Sequence, residues 1–409
     1  MVEREADDAR ATIEAIAEAI REPPASATLA GGSAGTALFY ASLAQIQPDR
    51  GWAEVAIDHL SHAIDSLSGP NQWSALFPGL VGIAWVVEHL QGRLEGLPLD
   101  DLNGDIDAVL DAELSQPWSR EYDLMYGLVG IGAYAALRCR RRGPTSAQLL
   151  RKVVAQLDAR KVAVEGGYAW HTAVAQLSEG YRGENPEGAY DLGVAHGCAA
   201  VVALLAQAAS LGVEGARGLF EGASAWLLSQ RQAISVGSYF ADLVTVGQPQ
   251  AVQPSRIGWC YGDLGISASL LAASMSFGDQ ASATAALEVA RHVAARGIGG
   301  GSLVDDAFLC HGASGNGHLF NRLWQSSGDD VFRHASRCWF REVANLRRPG
   351  RGVAGFEPRV ARVDVGPFGF LQGAAGIGLA LCAAVSTSPP AWDEVLMISV
   401  DDHFRPAVR

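Results

Sequence analysis

The sequence has almost no lysine: Lys152 and Lys161 are the only two in 409 residues. Acidic side chains outnumber basic ones, 44 to 31, for a formal net charge of −13. That excludes the broad basic face on which non-specific nucleic-acid binding depends. No run approaches the ~18 uninterrupted apolar residues of a membrane span. The opening MVEREADDARATIEAIAEAI lacks the basic-then-apolar order of a secretory signal. The expectation is a cytoplasmic chain without a membrane span. Six cysteines, Cys139, Cys198, Cys260, Cys310, Cys338 and Cys382, are too sparse and irregular for a secreted disulfide framework, so in a reducing compartment they are thiols or metal ligands. No Gly-x-x-x-x-Gly-Lys phosphate loop occurs. Alternating β-branched runs are scarce, with KVAVEGGYAWHTAV, residues 161–174, the single candidate for strand.

Glycine and small apolar residues are what the chain has in quantity. Its 47 glycines are spread along the sequence, and 49% of all residues are hydrophobic, enough to bury a large core. A Gly-x-x-Gly pair recurs, beginning at Gly32, Gly79, Gly127, Gly262, Gly312 and Gly373. A degenerate seventh copy begins at Gly197, with Ala200 in the second glycine's place. One such pair means little, but seven copies at spacings of 47 to 70 residues make an array. LVGIAWVVEHL after Gly79, LVGIGAYAALRC after Gly127 and CAAVVALLAQAA after Gly197 are apolar nearly all round, as in helices buried on every side. The glycine and alanine at their starts would let two helix backbones approach closely.

The segments between are amphipathic. Trp52, Val55, Ala56, Leu60, Ala63 and Leu67 share one helical face, as do Phe332, Ala335, Trp339, Val343 and Leu346; Leu219, Phe220, Ala223 and Trp226 do so with one polar lapse at Gln230. Buried helices alternating with amphipathic ones, six or seven times, predict an all-α fold: an α/α toroid, with inner helices lining a ring and outer helices wrapping it. A single domain over residues 1–409 is expected, with insertions within 140–192 and 233–256, where the motif spacing is longest. The loops carrying the glycine motifs would then meet at one end, over a central cavity. An open helical solenoid is the alternative.

Cys260 stands two residues before Gly262, and Cys310 two before Gly312, with His311 between. Equivalent places in successive repeats bring both thiols to one rim. A lone buried cysteine is usually a small hydrophobe; two cysteines and a histidine suit Zn²⁺, and three ligands leave a fourth position open, as in catalytic zinc sites. Spacing alone leaves both readings standing.

SRIGWCYG at residues 255–262 and CHGASG at 310–315, set within the repeated glycine pairs, resemble the lanthionine synthetase C-like family, the lanthipeptide cyclases. The resemblance covers all seven motifs in order. It implies an α/α toroid with one zinc held by Cys260, Cys310 and His311. It also implies active-site roles for His196 in GVAHGCA, Asp123 in YDLMYGLVG and Arg256 in SRIGW. Read without it, Asp123 is a helix N-cap and Arg256 a surface or salt-bridged residue. Tyr261, beside the zinc cysteine, is expected to face the same cavity.

The implied reaction joins peptide cysteines to dehydroalanine or dehydrobutyrine in a dehydrated precursor peptide. A free thiol, with a pKa of about 8.5, is mostly protonated at neutral pH, and zinc would bind it as thiolate. Arg256 would steady the enolate oxygen. His196, oriented by Asp123, would take the thiol proton or return one to the α-carbon. Nothing in the sequence supplies the dehydration, so a stand-alone cyclase is expected, working with a dehydratase and an exporter and peripheral to any membrane-bound complex. The alternatives are another thiol-activating zinc enzyme or a glutathione-handling relative on the same toroid, and a noncatalytic zinc scaffold. A scaffold is expected to lose His196, Asp123 or Arg256, and all three are present. A neighbouring dehydratase gene and a short Ser/Thr/Cys-rich precursor would separate the enzyme readings.

Overall fold

A computed structural model of the chain describes residues 3–69, 73–233, 237–247, 254–357 and 366–399. Its helices are α1 Glu3–Ala19, α2 Ser33–Ile46, α3 Trp52–Asp65, α4 Leu80–Leu90 and α5 Gly104–Leu114, followed by α6 Leu128–Arg142, α7 Gln148–Arg160, α8 Glu179–Arg182, α9 Cys198–Ser210 and α10 Ala216–Ser229. The last five are α11 Asp263–Phe277, α12 Gln280–Arg296, α13 Ala313–Ser327, α14 Asp330–Leu346 and α15 Ala374–Val385. Each of the seven motifs of the array, the degenerate one included, opens a helix: α2, α4, α6, α9, α11, α13 and α15.

The chain divides into two compact units, Met1–Asp107 with Val304–Trp392, and Ala108–Leu303 with Asp393–Arg409. In the first, α15 packs on α2 and α13, and α2 packs on α4. Three of these glycine-motif helices are each backed by an amphipathic one: α3 lies on α2, α14 on α13, and α1, from the start of the chain, on α15. In the second, α9 packs between α6 and α11, backed respectively by α10, α7 and α12. Burial follows the expected alternation. All eleven residues of α4 are buried, whereas α14 buries one stripe: Phe332, Ala335, Ser336, Trp339, Phe340 and Val343. The larger apolar side chains of such a stripe stabilise the fold by about 1.5–3 kcal/mol each.

The candidate strand segment is a hairpin of β1 Lys161–Val164 and β2 Gly167–Thr172. Two short strands that alternation did not reveal, β3 Ala189–Asp191 and β4 Leu243–Thr245, extend it to an antiparallel sheet in the order β1-β2-β3-β4. β2 packs on α10.

The glycine pairs work differently from the close helix–helix approach expected of them. The loop before each helix folds flat over the helix's first turn. Its carbonyls accept hydrogen bonds from helix N–H groups seven residues on: Leu80 N donates to Trp73 O (3.0 Å), Ala313 N to Asp306 O (2.9 Å) and Ala374 N to Pro367 O (2.9 Å). The helix starts are thus satisfied by backbone, with no side-chain cap. A Cβ at Gly79 would collide with the Trp73 carbonyl, and one at Gly82 with the Leu76 carbonyl and, at 2.8 Å, with Leu29 Cβ. Only the second glycine therefore also serves contact with a neighbouring repeat. Gly262 alone among the opening glycines needs a left-handed backbone, at φ 88°. Gly82→Ala is expected to cost about 1–3 kcal/mol by overpacking, measured as a lowered midpoint in urea. An unchanged midpoint would contradict the steric account.

Candidate functional site

Backbone hydrogen bonds lace the loops before the helices together at the residue two before the first glycine. In the second unit Met125 N donates to Ala195 O (3.2 Å), and Ala195 N to Cys260 O (3.2 Å). In the first unit Cys310 N donates to Leu371 O (2.9 Å), Leu371 N to Ala30 O (3.1 Å) and Ala30 N to Phe77 O (3.0 Å). Cys260 and Cys310 thus hold equivalent rungs of one repeating pattern. The following residues, Tyr261 and His311, and likewise His196 before Gly197, occupy the next equivalent place.

His196 Nδ1 lies 2.6 Å from Asp123 Oδ2, while Asp123 Oδ1 accepts from the Tyr126 N–H at 2.7 Å. Asp123 is therefore a loop residue that orients an imidazole; the N-cap of α6 is Gly127, without a side-chain cap. The His196 ring stacks on Tyr126, with centroids 5.6 Å apart, and Tyr261 lies on its other flank at 6.1 Å. Burial disfavours the imidazolium, but the hydrogen bond and charge of Asp123, helped by Asp191 and Cys260, outweigh it and push His196 up to about 9.

Asp191 joins the site without having been among the expected residues. It is 2% exposed. Its Oδ1 accepts from Gly193 N (2.8 Å) and its Oδ2 from the Tyr261 hydroxyl (2.9 Å). Burial pushes its carboxyl up to about 7, against the pull of His196 and these two hydrogen bonds. Tyr261 itself is held as a neutral phenol, chiefly by burial and then by the Asp191 charge. Arg256 sits in the loop that folds over Gly262 and is partly exposed. Among the described residues its guanidinium makes no hydrogen bond or ion pair; desolvation raises the half-buried Asp242 carboxyl, and the Arg256 charge offsets part of that rise. Trp259 is buried, with its indole N–H donating to Leu396 O (2.9 Å); it serves the fold.

Among the described residues, Cys260, Cys310 and His311 form a group that could hold a metal ion: two Sγ atoms and an imidazole nitrogen, all within 4.8 Å of one another. The donor set fits zinc, which takes thiolate and imidazole together. The remaining buried thiols have no such company. Burial pushes Cys382 up to about 12 and raises Cys139 and Cys198 as well, which makes them small hydrophobes.

The lanthionine synthetase C-like protein family matches residues 23–397. The chain belongs to this family. No curated protein matches it in sequence. Among solved structures, "Nisin cyclase" superposes with a TM-score of 0.76 at 19% identity, covering 96% of this chain and 97% of that one. A sugar epimerase from a ruminal bacterium reaches a TM-score of 0.49 at 11% identity over 90% of this chain and 87% of that one. The all-α toroid expected from the glycine motifs is the fold of this family member. No helix among the described residues is long and apolar enough to cross a membrane.

Asp123 and His196 are thus in direct contact, and Tyr261 joins them through its ring on the flank of His196, its hydroxyl turned to Asp191. Asp191 and Asp306 were legible in one respect: each stands six residues before the first glycine of its motif. Tyr181 and Asp242, hydrogen-bonded at 2.7 Å, carried no such signal.

Proposed function

We propose that the chain is a zinc-dependent peptide cyclase. It joins cysteine thiols to dehydroalanine and dehydrobutyrine residues of a dehydrated precursor, forming lanthionine and methyllanthionine thioethers. The observation that carries this reading is the grouping of Cys260, Cys310 and His311 in a chain of the lanthionine synthetase C-like family. The fold shared with nisin cyclase supports a peptide as the substrate.

Cys260, Cys310 and His311 would hold the ion. Bound there, zinc supplies a site at which a peptide thiol stays a nucleophilic thiolate at neutral pH. The sulfur adds to the β-carbon of the dehydro residue, and the π pair moves onto the α-carbon and its carbonyl oxygen. Arg256 offers its cation to that oxygen. His196, pushed up to about 9, is an imidazolium at neutral pH and so is suited to give its proton to the α-carbon. Asp123 occupies Nδ1, which leaves Nε2 to carry the proton. His196 is then recharged by the proton that the peptide thiol gave up. Tyr261 and Asp191 brace the imidazole's flank. A dehydratase to supply the substrate and an exporter to take the product are the partners this reaction calls for, in the cytoplasm.

The test incubates zinc-loaded protein with a dehydrated precursor, then caps the remaining thiols and weighs the peptide. Ring closure leaves the mass unchanged and removes one cappable thiol per ring. Loss of cappable thiols faster than in a protein-free control is expected. The reading fails if every thiol stays cappable at the control rate, or if the peptide instead gains the mass of added glutathione.

A further inference from the structure

Asp306 and Asp191 stand at the same place in two repeats, six residues before the first glycine. Both make the same local turn. Asp306 Oδ1 accepts from Phe308 N at 2.9 Å, as Asp191 Oδ1 does from Gly193 N at 2.8 Å. One carboxylate oxygen is thus committed to shaping the loop, and the second is turned to a different use in each repeat. In Asp191 it takes the Tyr261 hydroxyl. In Asp306 it lies 3.5 Å from His311 Nε2. The two side chains are only 11% and 19% exposed, so water competes little for the pairing.

We propose that Asp306 is the positioning residue for His311: it holds Nε2 as the protonated nitrogen and turns Nδ1 toward the metal, which sets the zinc affinity of the Cys260–Cys310–His311 group. The inference rests on the zinc reading above. The physical ground is general. A histidine ligates through one nitrogen, and an acceptor on the other fixes the tautomer, sets the ring's orientation and makes the ligating nitrogen more basic. Asp306 is built for this, because its turn hydrogen bond removes the rotational freedom that an unanchored carboxylate would have to lose on pairing.

The turn and the pairing can be separated by substitution. Asp306→Asn keeps an oxygen for the Phe308 N–H and places an amide N–H₂, a donor, where His311 needs an acceptor. Asp306→Ala loses both. Zinc affinity is measured by competition with a chromophoric chelator, alongside metal content, the thermal midpoint of the metal-free protein, and the visible spectrum of the cobalt-substituted form. Asp306→Asn should bind zinc ~10–100-fold more weakly, the usual cost of removing such a partner. It should shift the cobalt bands while leaving the metal-free midpoint near that of the wild type. Asp306→Ala should lose affinity and also melt earlier.

Wild-type zinc affinity and an unchanged cobalt spectrum in Asp306→Asn would overturn the proposal and leave the zinc site intact. A fall in affinity matched by an equal loss of metal-free stability would also overturn it, because Asp306 would then act only on the loop. Wild-type protein that binds no zinc would instead overturn the metal reading on which the proposal stands.

Discussion

Cys310→Ala is expected to remain folded, lose most of its zinc and close no rings beyond the uncatalysed rate. The substitution spares the backbone of the loop. Cys310 holds its rung through its backbone N–H to Leu371 O, and alanine keeps that bond. Loss of one buried sulfur costs stability of the order of 1 kcal/mol, too little to unfold a chain of this size. What goes is one of two soft, anionic ligands, and a Cys–His pair alone holds zinc far less tightly than a three-ligand set. Without the ion the peptide thiol returns to its ordinary pKa of about 8.5 and is mostly protonated at neutral pH. Cys382→Ala is the control, since burial pushes that thiol up to about 12 and it lies outside the group. Metal analysis should give about one zinc per chain for the wild type and for Cys382→Ala, and much less for Cys310→Ala. Full zinc in Cys310→Ala would remove that residue from the site.

The parts of this molecule that could be read from sequence are those where a physical demand repeats. The loop folding over each helix start crowds a Cβ at the same two places, and this leaves six glycine pairs and one degenerate copy, with Ala200 in the second place. Cys260, Cys310, His196 and His311 could be located because they are counted from those glycines. Asp123 and His196 lie 73 residues apart, and nothing in periodicity brings them together; the link came from resemblance to a family, and Asp123 read alone looked like a helix cap. β3 and β4 have three residues each, too short for alternation to register. Asp191 and Asp306 fell in register with the motifs, yet an aspartate in a glycine-rich loop reads as a turn residue. The turn is real in both, and it uses only one of the two carboxylate oxygens.

His196→Asn is expected to keep zinc and fold while slowing ring closure by ~10²–10⁴-fold, the range typical of a lost acid–base group. Its pH behaviour gives the more demanding test. Burial alone would lower the imidazole's pKa; Asp123, Asp191 and Cys260 carry it up to about 9. The acid form is therefore full at neutral pH and lost as pH rises through about 9. Wild-type turnover should fall on that limb even as more of the peptide thiol ionises. In His196→Asn the falling limb should disappear and the residual rate should rise with thiol ionisation.

The same shift has a consequence for stability. A histidine whose pKa is about 6.5 in the unfolded chain and higher when folded stabilises the fold fully below that value, and the contribution is lost as pH rises through the folded value. Wild type should therefore lose part of its stability advantage over His196→Asn between about pH 6.5 and 9. Asp123→Asn still reaches Nδ1 but carries no charge, so its falling limb should move to lower pH and its rate loss should be the smaller of the two. Rates are read as the disappearance of cappable thiols, with zinc content measured on each variant. A His196→Asn protein that closes rings at the wild-type rate with its zinc intact would end the acid role. One that loses its zinc would make His196 a support of the metal loop, and the proton would have to come from elsewhere, with the Tyr261–Asp191 pair next to be tested.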